Sequence, residues 1–220
     1  MKIEDFYQLS KNIDEEEEDY NNLIHLYKTA LKEVERKISI IQYDYPYLDD
    51  YNYIDHIKTR IKSKESIIKK LEKKGYELTY ANLIDNISDI AGVRVICNLK
   101  SDIKVVKKYI EEFPEMKIVK EKDYITHPKE SGYSGYHIVL EVPIQINGEE
   151  SKVKVEVQIR TMAMDFWSSL EHEIKYKPKE KIDTTISKEL VRVAKVVNRL
   201  DNKMVKLYHH NSQQEEKKTV

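Results

Sequence analysis

The sequence predicts an α/β domain set between two long helices, and three features carry that prediction. Apolar residues step by three and four at both ends of the chain, they alternate with a period of two through the middle, and helix start and stop signals separate the alternating segments. With 220 residues the chain can bury one good core plus a helical extension, and is too short for a string of separate modules. The expected division of this single domain is a helical region over 1–50, an α/β core over 51–180, and a C-terminal helix and tail over 181–220.

Behind the acidic run Glu15 to Asp19, the positions Ile24, Tyr27, Leu31, Val34, Ile38 and Ile41 define a helical seam. The period then changes. In His56 to Lys62, Ile57, Thr59 and Ile61 point one way while Lys58, Arg60 and Lys62 point the other. A helix follows, with Ser63 as N-cap and Gly75 as its stop. A short helix over Asn82 to Asn86 leads into a hydrophobic strand, Ala91 to Cys97, after which Ser101 caps a helix that ends near Phe113-Pro114.

Next come a strand from Met116 to Tyr124, a Gly-containing loop, and two strands joined at Asn147-Gly148, the strongest hairpin signal in the chain. Thr161 opens a helix carrying Phe166, Trp167, Leu170 and Ile174, which Pro178 closes. The last helix alternates steps of four and three through Ile186, Leu190, Val193, Val197, Leu200, Met204 and Leu207. Such a heptad seam wants a partner helix, in a second copy of the chain or within the same one.

Composition narrows the function. A formal net charge of -1 leaves no overall footprint for duplex nucleic acid or an anionic membrane, so anion binding must come from local clusters. The single cysteine, Cys97, excludes an intramolecular disulfide and a cysteine-based zinc cage and fits a reducing compartment. No apolar run approaches the ~20 residues needed to span a bilayer, and Met1 to Asp5 lacks an apolar signal core, which together predict a cytoplasmic protein.

Three clusters can carry chemistry. A two-residue turn at Asn147-Gly148 pairs Ile146 with Glu149, Val139 with Glu156 and His137 with Gln158. Val153, Val155, Val157 and Ile159 then form an apolar face, and Lys154, Glu156, Gln158 and Arg160 share the opposite one with His137 and Tyr133. The same alternation also describes a merely solvated sheet face. The second cluster is Lys58, Arg60 and Lys62, followed by a helix start offering Ser66, Lys69 and Lys70. It is either a polyphosphate site, where free N–H groups and the helix dipole add to side-chain charge, or a solvated basic edge. Walker and Rossmann fingerprints are both absent. The third is Asp89, a turn residue or, with Glu156, a ligand for a metal that bridges phosphates. His172 in the following helix either reaches this face or is simply exposed.

Five ordered stretches resemble the synthetase domain of RelA/SpoT-type proteins: Arg60-Ile61-Lys62 with Ser66 and Lys70, Asp89 to Arg94, Lys122 to Ile125, Gly132-Tyr133 with His137, and Glu156 to Thr161. The match runs from about His56 to Lys177, and the flanking helices and length resemble the stand-alone RelQ-type small synthetases. The resemblance implies a nucleotidyltransferase-like mixed sheet flanked by helices. It also implies transfer of pyrophosphate from ATP to the 3′-hydroxyl of GDP or GTP, with GMP left open as acceptor, releasing AMP and making the alarmone (p)ppGpp of the stringent response. No His-Asp pair of the family's hydrolase domain is present.

By the same resemblance Arg60, Lys62, Ser66 and Lys70 bind the ATP phosphates and Arg94 lies near adenine or phosphate. Asp89 and Glu156 hold Mg²⁺ and carry the catalysis, Tyr133 stacks on guanine, and Lys122, Lys129, His137, Gln158 and Arg160 position the acceptor. A homotetramer is expected. One departure stands out: Ser131-Gly132-Tyr133-Ser134-Gly135 occurs where the family commonly has Asn-Gly-Tyr-Arg-Ser or Asn-Gly-Tyr-Gln-Ser, which leaves acceptor preference open. Two rivals remain at this stage. One is another nucleotidyltransferase, releasing pyrophosphate, and the other is an oligomeric binder of single-stranded RNA that kept the fold and lost catalysis.

Overall fold

A computed structural model describes residues 1–9, 12–13, 17–43, 51–146, 148–176 and 184–216. Its centre is a five-stranded mixed sheet of β1 (Ile54–Ile61), β2 (Ala91–Cys97), β3 (Lys117–Asp123), β4 (Tyr136–Ile146) and β5 (Glu149–Thr161), in the order β1-β2-β5-β4-β3. Only the β2–β5 pair is parallel. The helices are α1 (Glu17–Tyr43), α2 (Lys64–Lys73), α3 (Tyr80–Asn86), α4 (Asp102–Glu111), α5 (Met162–Tyr176) and α6 (Thr184–Glu216). No helix among the described residues is long and apolar enough to cross a membrane.

Helix α1 begins with Glu17, Glu18 and Asp19, whose charges suit a helix N-terminus, and buries the predicted seam through Ile24, Tyr27, Leu31, Val34, Ile38 and Ile41. That seam lies across β1, β2, β4 and β5. Val153, Val155, Val157 and Ile159 point into the same core. The β4–β5 register is the one predicted, with Ile146 opposite Glu149, Val139 opposite Glu156 and His137 opposite Gln158. Gly148 has φ +81°, as a tight hairpin turn requires; its partner Asn147 lies outside the described residues, as do Lys177 and Pro178.

Two expectations are corrected. Ser101 is itself helical, at φ -59° and ψ -35°, and makes no capping bond. The turn starts earlier, with Asp102 N donating to Leu99 O, and Asp102 Oδ2 supplies the cap by accepting from Leu99 N at 2.9 Å and from the Tyr51 hydroxyl at 2.9 Å. Thr79, which the sequence reading passed over, caps α3 by accepting from Asn82 N.

The α6 seam is the second correction, because it splits. Leu190, Ala194, Val197 and Asp201, spaced by four, three and four, turn inward, and the first three join Trp167 and Tyr133 in a small second core. Ile186, Val193, Leu200, Met204 and Leu207 stay exposed. Of the seven seam positions only Leu190 and Val197 turn inward, with Ala194 and Asp201 beside them, so the inward stripe runs along one flank of the predicted seam.

Thr161 couples this helix to the sheet. Its hydroxyl accepts from Met164 N at 3.1 Å, capping α5 as predicted, and donates to the buried Asp201 Oδ2 at 2.9 Å. Trp167 Nε1 donates to Leu190 O, and Gly132, at φ +91°, brings the preceding loop against α6.

Burial raises the Asp201 carboxyl, partly offset by Thr161 and Lys100, so its contribution to stability is fullest at low pH and declines as pH rises through that raised value. Asp201→Asn, which keeps an acceptor for Thr161, is therefore expected to raise the melting temperature relative to wild type at pH 7–8, with the gain vanishing towards pH 3–4 in a thermal-shift series. A Cβ at Gly132 would lie 2.6 Å from Ala194 Cβ on a backbone that side chains rarely adopt. Gly132→Ala should accordingly cost roughly 2–4 kcal/mol, read as a lowered denaturation midpoint.

Candidate active site

The side of the sheet facing away from α1 collects the polar residues. Pairing aligns Lys58, Arg94, Gln158, His137 and Lys122 in one row across all five strands. In the neighbouring row Arg60, Gly92 and Glu156 stand side by side. Gly92 contributes no side chain, and a cavity of about 200 Å³ opens there between Lys58, Arg60, Arg94 and Gln158. A second cleft of about 320 Å³ adjoins it, lined by Arg60, Arg94, Gln158, Arg160 and the exposed His172, so His172 does reach this face.

At the end of β1, backbone pairing continues from Lys62 N to Ile90 O, which brings the basic strand beside Asp89. Asp89 Oδ1 accepts from Lys70 Nζ at 2.6 Å and Oδ2 from Lys62 Nζ at 3.1 Å. Burial pushes the Asp89 carboxyl up, but Lys70 and Lys62 outweigh it and hold the group below its ordinary range. Ser63 caps α2 by accepting from Ser66 N and places Ser66 in the first turn; Lys69 is exposed, so Lys70 alone of that pair reaches the cluster.

Glu156 is the second anchored carboxylate. Its Oε1 meets His137 Nδ1 at 3.1 Å and its Oε2 accepts from Gln158 Nε2 at 2.7 Å. Burial raises its pKa and the Asp89 charge adds to that, yet the His137 and Gln158 contacts leave the group below its usual value. The two carboxylates thus sense one another and both remain ionised. Two carboxylates beside a cluster of cations have the hard-oxygen chemistry that suits a divalent ion whose shell is completed by water and ligand oxygens. Among the described residues no third metal-ligating side chain joins them.

The remaining candidates gather around Tyr133. Its hydroxyl contacts His137 Nε2 and accepts from Arg160 Nη2 at 2.8 Å. Its ring meets Tyr124 edge-on, with Lys129 Nζ 4.7 Å and the Arg160 guanidinium 5.0 Å from the centroid. Lys122 and Lys129 also lie over Tyr124. Tyr133 is 8% exposed, its ring covered by Lys129, Arg160 and Tyr124 and packed with Trp167, Leu190 and Ala194. Gly135 explains part of the unusual loop, since a Cβ there would press to 3.2 Å on the Tyr133 hydroxyl and 3.3 Å on Arg160 Cγ. Lys154, on the same strand face, donates instead to Ile84 O of α3.

One central residue escaped the sequence analysis. Asp165, in the first turn of α5, forms an ion pair with Arg94 at 2.9 Å and accepts from Arg160 at 3.1 Å. Only its place four residues beyond the helix-opening Thr161, at the end of a strand already carrying Arg160, could have marked it.

The family model described as a region found in RelA / SpoT proteins matches residues 59–181. The chain is 43% identical over 188 residues to the GTP pyrophosphokinase YwaC of Bacillus subtilis (strain 168), covering 86% of this chain and 90% of that protein. It is 36% identical over 178 residues to the GTP pyrophosphokinase YjbM of the same strain, covering 81% and 83%. The fold superposes on the crystal structure of small alarmone synthetase 1 from Bacillus subtilis bound to its product pppGpp with a TM-score of 0.82 at 33% identity, covering 88% of this chain and 98% of that one. With the motifs in order, the shared fold and the extent of these matches, the chain belongs to the RelA/SpoT family, among its small alarmone synthetases.

Proposed function

We propose that this protein transfers the β,γ-pyrophosphate of ATP to the 3′-hydroxyl of GDP or GTP, releasing AMP. The observation that carries the proposal is the pair of ionised carboxylates, Asp89 and Glu156, set between a cationic cluster on one side and the Tyr133 pocket on the other.

On the donor side Arg60, Lys62, Ser66 and Lys70 take the ATP phosphates and Arg94 sits by the adenine or phosphates. Lys62 and Lys70 both pair with Asp89, so incoming phosphates compete for these ammonium groups and free the carboxylate. Asp89 and Glu156 would hold Mg²⁺, whose charge would stabilise the phosphate oxygens during transfer. On the acceptor side guanine stacks on Tyr133 once Lys129 leaves the ring, while Lys122, Lys129, His137, Gln158 and Arg160 orient the nucleotide.

The 3′-oxygen then attacks the β-phosphorus in line, and AMP leaves. Glu156 receives the hydroxyl hydrogen. Its low proton affinity makes it a weak base, so the rate rests mainly on positioning and on charge placed around the phosphates. The exposed apolar side chains of α5 and α6, Phe166, Leu170, Leu200 and Met204 among them, support assembly with further copies of the chain into a homotetramer. A cytoplasmic enzyme acting in the stringent response follows from the same assignment.

Incubation with Mg²⁺, γ-labelled ATP and GMP, GDP or GTP in turn should place label on a guanosine nucleotide with equimolar AMP. Pyrophosphate release would instead identify a nucleotidyltransferase, and RNA binding without turnover a scaffold. Glu156→Gln should lower kcat by roughly 10²–10⁴-fold while leaving the circular dichroism spectrum unchanged. A Glu156→Gln enzyme at the wild-type rate would remove the site assignment.

A further inference from the structure

Asp165 has no task in the scheme above, yet its carboxylate is the most heavily engaged anion on the polar face. Its side chain is 12% exposed, and a single oxygen, Oδ1, forms an ion pair with Arg94 Nη1 at 2.9 Å and accepts from Arg160 Nη1 at 3.1 Å. Lys58 Nζ stands 4.0 Å from the other oxygen. Cations from three neighbouring strands, β1, β2 and β5, therefore converge on one residue of α5.

The two arginines line one cleft but differ in their other contacts. Arg94 lines both the cavity at Gly92 and the adjoining cleft, with Arg60. Arg160, whose side chain is 5% exposed, turns its second amino group to the Tyr133 hydroxyl at 2.8 Å and to Gln158 Oε1 at 2.8 Å. Guanidinium groups this close repel one another: burial and Arg160 both lower the proton affinity of Arg94, and Asp165 opposes them. A buried cation deprived of its anion must move or be left uncompensated.

We propose that Asp165 is a positioning residue that couples the two nucleotide subsites. By holding both guanidiniums on one carboxylate oxygen it sets Arg94 for the donor nucleotide and, through Arg160, sets Tyr133 for the acceptor base. The proposal rests on the assignment of Arg94 to ATP and of Tyr133 to guanosine made above. It adds that one anion outside both subsites determines the affinity of each.

The test is steady-state kinetics on the full chain, with KM and kcat for ATP and for GDP measured separately, and melting temperatures alongside. The variants are Asp165→Asn, Asp165→Glu, Arg94→Ala, Arg160→Ala, and Asp165→Asn combined with each arginine change. Asp165→Asn should raise both KM values about tenfold, the scale of one lost charge-assisted hydrogen bond, with a smaller fall in kcat. Added to Arg94→Ala it should leave the KM for ATP where it was and still raise that for GDP; added to Arg160→Ala it should do the reverse. Asp165→Glu, which keeps the charge, should recover both values together, and it carries the test if Asp165→Asn does not fold.

Movement of only one KM, effects that multiply fully with both arginine variants, or recovery of one substrate alone by Asp165→Glu would overturn the coupling while leaving the subsites as assigned. Wild-type KM for ATP in Arg94→Ala together with wild-type KM for GDP in Arg160→Ala would overturn the subsite assignment, and the coupling with it.

Discussion

The register of the β4–β5 hairpin is the constraint on which the rest of the structure depends. Side chains alternate across a strand, so a slip of one residue would send Val153, Val155, Val157 and Ile159 to solvent and bury Glu156, Gln158 and Arg160 under α1. Because β5 is also the parallel partner of β2, its register fixes which residues of β2 and β1 complete each row. Arg60 and Glu156 flank Gly92 for this reason alone. The core and the polar face are consequences of the same pairing.

Charge on that face is balanced locally. Asp89 answers Lys62 and Lys70, Asp165 answers Arg94 and Arg160, and Glu156 is held by contacts to His137 and Gln158. Each pair is sheltered from solvent, where removing one partner is far more damaging than the pair is stabilising. A ligand rich in phosphate would compete with the carboxylates for these cations, and each carboxylate it frees then needs another cation, such as a divalent metal ion. Anchored donors that need little rearrangement are what phosphoryl-type transfer asks of a protein, since the chemistry is mostly positioning and electrostatics.

Helix α6 links this face to the remainder of the chain. Its Ala194 receives Gly132 from the loop that carries Tyr133, its Leu190 carbonyl accepts from Trp167, and its Asp201 accepts from the last residue of β5. The loop that carries Tyr133 is thus seated on the C-terminal helix, and the outer apolar residues of that helix are exposed on its other side. Assembly through those residues would act on a helix that already touches the loop.

By itself the sequence determined the elements and the faces. Hairpin register, the α1 seam, the caps at Ser63 and Thr161 and the polar set on β4 and β5 are all local patterns, set by the periods of strand and helix and by turn chemistry. Family resemblance named Arg60, Arg94, Gln158 and Arg160, which line the two clefts, but not the contacts among them. The helix start at Leu99, the inward stripe of α6 and the engagement of Asp165 were decided by tertiary structure alone. In each case the deciding partner is remote in the chain: Tyr51 for Asp102, Thr161 for Asp201, Arg94 for Asp165. A carboxylate in the first turn of a helix looks the same in sequence whether it caps, solvates or clamps two arginines. Only the sheet order, which brings β2 beside β5 at the foot of α5, makes Asp165 the third of these.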